Sequence, residues 1–154
     1  MLERNILEAI YLPEGIYVAN WIFDDEKIGI EVTCRVPSSD QYVARPVPYV
    51  TTENYVRCLS QASYLLSEHL LKGRLIPLEI PVDVFRQAAM NYELYYRNLA
   101  MTFHSRVLRD EEFQMRLTLK NWREIKRLQD YVLFTFTNER TVISGEMSFI
   151  FVRG

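Results

Sequence analysis

Alternation of apolar and polar positions runs through much of the second half of this 154-residue chain. Phe113, Met115, Leu117 and Leu119 fall on every second residue, as do Phe134 and Phe136, and then Met147, Phe149 and Phe151. A period of two places successive side chains on opposite faces of a strand. The strands predicted in this half cover 95–107, 112–127, 131–138 and 141–152. Trp122 breaks the alternation set by the residues before it, which predicts a β-bulge there. Asp110-Glu111 and Asn138-Glu139-Arg140 are polar connections suited to hairpins. Earlier in the chain, 16–23 and 28–36 also read as strands, joined by the polar turn Asp24-Asp25-Glu26-Lys27.

Between these strand regions the period changes. From Thr51 to Leu71 the residues Tyr55, Cys58, Leu59, Ala62, Leu65, Leu66 and His69 recur at the i, i+3, i+4, i+7 spacing of one helical face. Thr51 or Thr52 is the expected N-cap, because a threonine hydroxyl can satisfy a first-turn amide. Gly73 sits just past the expected C-terminus. Val56, Ser60, Ser63 and Ser67 form a second stripe of small residues, so a sheet, a second subunit or a ligand chain is expected to pack closely there. Shorter helices are predicted over 3–11, stopped by Pro13 and Gly15, and over 82–92. The expected order is short helix, two strands, long helix, short helix, four strands. Hairpin-sized connections imply an antiparallel sheet. The long helix is the element expected to cover its apolar face.

The chain has the length of one domain, expected to span 1–154. A formal net charge of −2 gives no basic footprint for nucleic acid. Cys34 and Cys58 stand apart and lie outside any metal-ligand spacing, so reduced thiols and no metal are expected. MLERNILEAIYLPEG carries acidic residues within its apolar stretch and does not read as a signal peptide. No apolar run reaches the roughly 18 residues of a membrane span. A cytoplasmic protein without a cofactor is the expectation.

The helix segment YVTTENYVRCLSQASYLLSEHL resembles the central helix of the FcoT-like (type III) long-chain fatty acyl-CoA thioesterases, through Cys58, Leu59, Ser60, Gln61, Ala62, Ser63 and Tyr64. QYVAR, residues Gln41 to Arg45, is similar to the family's tyrosine-containing strand end. ISGEMSFIFV, with Ser144, Gly145 and Glu146, is similar to its closing strand. The resemblance covers roughly residues 14–152. Tyr49, Thr51 and Ser60 stand near positions where the family carries His, Asn and Asn. The resemblance implies an α+β hotdog fold, an antiparallel sheet wrapped around one long central helix. It also implies an acyl thioesterase acting on fatty acyl-CoA or acyl-carrier-protein substrates, and a homodimer or higher homo-oligomer. An enoyl-thioester hydratase, dehydratase or amine-adding enzyme of the same fold is one alternative. A non-catalytic fatty-acyl binder is another.

Hotdog enzymes place the thioester carbonyl at the N-terminus of that helix. Free amides and the positive dipole end stabilise an oxyanion there. This makes Glu53 the candidate base, Asn54 a group that orients water or the carbonyl, and Ser60 a hydroxyl donor further along. Tyr42, Tyr49, Thr51 and Tyr64 are the candidate substrate contacts. The same residues have ordinary structural uses: Glu53 and Asn54 suit the first turn of any helix, and buried tyrosines need only a hydroxyl partner. His69 lies roughly 24 Å from Glu53 along a helix, and His104 shows no partner in sequence, so both read as structural. Lys120, Arg123, Lys126 and Arg127 form a basic cluster that could meet coenzyme A phosphates or an acidic carrier.

Overall fold

The computed structural model describes residues 5–39, 43–126 and 130–153. Helix α1 spans Ile6–Ile10, and Asn5 caps it by accepting the Leu7 and Glu8 amides. A 3-10 turn at Pro13–Gly15 leads into strands β1 (Val18–Asp24) and β2 (Gly29–Arg35). Helix α2 covers Thr52–Lys72, and α3 covers Val82–Met90. Strands β3 (Leu94–Phe103), β4 (Glu112–Lys126), β5 (Asp130–Glu139) and β6 (Ile143–Arg153) complete the set.

The six strands form one antiparallel sheet in the order β1-β2-β4-β5-β6-β3. Its apolar face is the one the alternation predicts. Phe113, Met115, Leu117, Phe134, Phe136, Met147 and Phe149 are all buried. Phe134, Phe136 and Phe149 pack ring against ring, with centroids 5.2–6.4 Å apart. Truncating such a ring to alanine typically costs about 3–5 kcal/mol.

The hotdog expectation is overturned. The helix that should run through the centre is 21 residues long, and the sheet does not wrap around it alone. Helix α2 lies against β1, β2 and β4, whereas α3 lies against β6. Helix α1 packs on both α2 and α3. Helices α2 and α3 therefore divide the cover of a six-stranded sheet, with α1 packed on both. The physical reason lies in α3: Phe85, Ala88 and Ala89 are buried, and the Phe85 ring meets that of Phe151 at 5.9 Å. That short apolar face covers the β6 side and leaves α2 with the other half. The stripe of small residues on α2 is correspondingly closed, with Ser60, Ser63 and Ser67 all buried.

Two local expectations also change. Asp110-Glu111 does not close a hairpin, because β3 pairs with β6 and β4 pairs with β2 and β5. Residues 104–111 instead carry the chain from one edge of the sheet to its other half. The irregularity in β4 falls between Leu119 and Asn121 rather than at Trp122, which pairs regularly with Phe134. The hairpin expected at Asn138-Glu139-Arg140 does form, between β5 and β6.

Position 61 shows how the sequence ties helix to sheet. Gln61 is fully buried in the middle of α2. Its Oε1 accepts the amides of Tyr17 at 2.9 Å and Val18 at 3.1 Å, and its Nε2 donates to the Gly15 carbonyl at 2.7 Å. One side chain thus satisfies three backbone groups where β1 begins, groups that would otherwise be costly to bury.

Candidate functional site

The segment 104–111 builds a cleft as it crosses the molecule. Val50 donates its amide to Val107, and Arg109 donates its amide to Pro48, both at 2.9 Å. Tyr49 and Leu108 form an isolated antiparallel bridge. This ladder sets Tyr49–Thr52, the entry to α2, beside Phe103–Arg106, the exit of β3. The cleft between them has a volume of about 590 Å³ and is lined by Tyr49, Val50, Thr51, Thr52, Tyr55, Phe103, His104, Ser105 and Arg106. It lies at the N-terminus of α2, where first-turn amides have no carbonyl partner within the helix and the dipole is positive. Arg106 holds its guanidinium 5.5 Å from the centre of the Tyr49 ring and adds positive charge.

His104 is among the residues of this lining. Its amide donates to Val142 at 2.8 Å, and its Nε2 shares a 2.6 Å hydrogen bond with the Ser144 hydroxyl. The bond fixes the ring between β3 and β6. The sequence carries no sign of this pair, since the two residues are 40 positions apart and meet only because the last strand doubles back beside β3.

The residues singled out from the sequence divide among three places. Tyr49 and Thr51 line the cleft. Asn54 lies behind it, buried, in a network that holds the first turn. Its Oδ1 accepts from the Thr51 amide at 3.0 Å, the Thr51 hydroxyl at 2.8 Å and Arg109 Nη2 at 3.1 Å. Its Nδ2 donates to the Tyr17 hydroxyl at 3.3 Å, which also accepts from Arg57 Nη1 at 2.7 Å. Glu53 is exposed and outside the cleft lining. Tyr42 lies outside the described residues.

Ser60 and Tyr64 sit on another flank of α2, roughly 10 Å or more along the helix from Glu53. The Ser60 hydroxyl donates to the Val56 carbonyl at 3.0 Å and meets the Tyr96 hydroxyl. Although Tyr96 is exposed, its hydroxyl end sits against the buried Ser60, and desolvation there pushes the phenol up to about 12, partly offset by its bond to Ser60. Burial also raises Tyr11 and Tyr64, with neighbouring phenols adding to the effect. These hydroxyls stay neutral at physiological pH, as hydrogen-bonding groups rather than bases.

At the opposite end of α2 a larger cleft of about 1210 Å³ is lined by residues including Lys72, Arg74, Glu79, Glu124 and Lys126. It lies beside the negative end of the helix and mixes both signs of charge, which suits an oxyanion poorly. Of the basic cluster, Lys120 pairs with Glu146 at 2.8 Å, and Arg123 and Lys126 are exposed on β4. Arg127 lies outside the described residues.

Cys34 and Cys58 are buried free thiols, and burial, together with the neighbouring Cys34, pushes the Cys58 thiol well above its usual range. Such a thiol is a poor nucleophile. Among the described residues no group of three or more His, Cys, Asp and Glu side chains comes together as a metal site, and no helix is long and apolar enough to cross a membrane. No family model and no curated protein matches the chain.

Proposed function

We propose that the cleft at the N-terminus of α2 hydrolyses acyl thioesters, with a fatty acyl group carried on coenzyme A or an acyl carrier protein. The observation that carries this reading is the meeting of His104 with the positive end of a 21-residue helix in one cleft. Hydrolysis needs a site for the developing oxyanion and a base for water. The first-turn amides, that of Thr52 among them, supply the first. His104 supplies the second, its ring oriented by Ser144. The base is His104 rather than Glu53 because His104 lines the cleft and Glu53 does not. Asn54 acts indirectly, by holding the first turn in place. Tyr49, Phe103 and Tyr55 offer the acyl group an aromatic wall.

Release of free thiol from acyl-CoAs of graded chain length tests the reading. Turnover should fall by about 10²–10⁴ in His104→Ala, the usual contribution of a general base. Glu53→Ala should retain most of it. Turnover that is unaffected by His104→Ala would remove the assignment of the base. An absence of thiol release from every acyl-CoA and acyl-carrier substrate would remove the reading.

A further inference from the structure

Cys34 on β2 and Cys58 on α2 are both fully buried, and the register of the sheet sets one over the other. Cys34 stands between Val18 on β1 and Phe113 on β4, its Cα partners on either side. Helix α2 touches both of those neighbours. Gln61 accepts the Val18 amide at 3.1 Å, and the Tyr55 ring meets the Phe113 ring edge-on at 5.4 Å. Cys58 lies midway between Tyr55 and Gln61, three residues from each, a spacing that keeps neighbours on one side of a helix. It therefore lies above Cys34, and the two thiols meet. The chain holds no other cysteine, so a bridge within it has one possible pairing.

We propose that Cys34 and Cys58 form a reversible disulfide that fastens the middle of α2 to β2, with a small-molecule disulfide such as oxidised glutathione as the oxidant. The step balances in two exchanges. The thiolate of one cysteine attacks the oxidant's S–S bond, forms a mixed disulfide and releases one glutathione thiol. The other cysteine then attacks its neighbour's sulfur in that mixed disulfide, forms the protein S–S bond and releases the second glutathione. The two cysteines give up two electrons and two protons, which leave on the two glutathione thiols. Contact between the cysteines makes the second exchange intramolecular.

Burial gates the first exchange. Both sulfurs are closed off while α2 lies on the sheet, and a thiol kept neutral by apolar surroundings is a poor nucleophile. Oxidation therefore passes through a local opening of α2 from β2, and its rate stops rising with oxidant once that opening limits it. The bridge then abolishes the opening that allowed it to form. Cys58 lies one turn beyond Tyr55, a wall of the cleft at the N-terminus of α2, so oxidation also restrains that wall. None of this rests on the catalytic reading, and its test measures no turnover.

The test incubates the native whole chain with oxidised glutathione, then unfolds it in guanidinium, alkylates it and reads the intact mass. The expected product is one chain lighter by the two hydrogens lost, with no alkyl group and no glutathione attached. Its proteolytic map should join the Cys34 peptide to the Cys58 peptide, and dithiothreitol should restore two alkylatable thiols. The rate should level off as oxidised glutathione is raised. The oxidised chain should unfold at a higher urea concentration than the reduced one, as expected of a bridge that closes a long loop, and Cys34→Ala should lose that gain. If Cys34→Ala does not fold, the intact mass and the urea midpoint of the unmodified chain decide. Two free thiols under conditions that oxidise the urea-unfolded chain, glutathione retained on either cysteine, or a bridge between chains overturns the proposal. A urea midpoint that does not rise on oxidation overturns the fastening of α2.

Discussion

Replacing Gln61 with methionine tests whether α2 is tied to the sheet through hydrogen bonds or through packing. The two side chains are close in volume, so the substitution leaves little cavity. It removes three hydrogen bonds at once and strands the Tyr17 and Val18 amides and the Gly15 carbonyl. Each orphaned buried group costs about 1–3 kcal/mol. The methionine recovers part of this through transfer of its apolar surface, and the Gly15 carbonyl can turn toward water because that residue is half-buried. The expected net loss is about 3–5 kcal/mol. For a chain of this length about 2–4 °C is lost per kcal/mol, so the melting temperature should fall by roughly 6–20 °C. Urea denaturation followed by tryptophan fluorescence and far-ultraviolet dichroism would measure it, with the slope on denaturant checked for constancy. A loss below about 1 kcal/mol at unchanged slope would refute the reasoning and show that packing alone holds the start of β1 on α2.

Other consequences follow from single contacts. Gly145→Ala should destabilise the fold by more than about 2 kcal/mol in the same denaturation assay, since its Cβ would lie 2.0 Å from a backbone oxygen at a φ of +156°; a neutral result would mean β3 and β6 can separate locally. Asn54→Ala should lower stability by about 1–3 kcal/mol through loss of the first-turn network, and should also slow any thioester turnover; turnover that is unchanged in a destabilised variant would separate the network from the site. At high pH the raised phenol pKa values predict a falling stability. The native state keeps these protons longer than the unfolded chain does, so the stability they give is complete below the ordinary tyrosine pKa near 10 and is lost as pH climbs toward about 12. Ultraviolet titration at 295 nm should show a late-ionising class that shrinks in Tyr96→Phe, and a single class near 10 would contradict the desolvation of these phenol groups.

Much of the secondary structure could be read from period alone, because these strands each present one face to a shared core. Phe113 to Leu119 and Met147 to Phe151 show this directly. The course of α2 was equally plain, from a threonine cap expected at 51 or 52 and found at Thr51 to Gly73 beyond its end. The layer architecture was not. Phe85, Ala88 and Ala89 form a stripe too short to announce that α3 would share the cover of the sheet, and so α2 looked like the sole central helix. Strand order was hidden for a related reason. A polar pair such as Asp110-Glu111 fits a tight turn, but the backbone pairing of 48–50 with 107–109 carries the chain across the molecule instead. The site inherits this blindness. Tyr49 and Thr51 could be named because they flank a helix start, whereas His104 acquires its place only from its neighbour across the β3-β6 ladder.

The most direct test of the catalytic reading is a crystal structure of the protein with a non-hydrolysable acyl-CoA thioether whose carbonyl mimic replaces the thioester. The account places that oxygen within hydrogen-bond distance of the Thr52 amide region, His104 beside the same carbon, and the acyl chain along Phe103 and Tyr55. Electron density for the ligand in the larger cleft at the C-terminal end of α2, or a head group remote from His104, would contradict it.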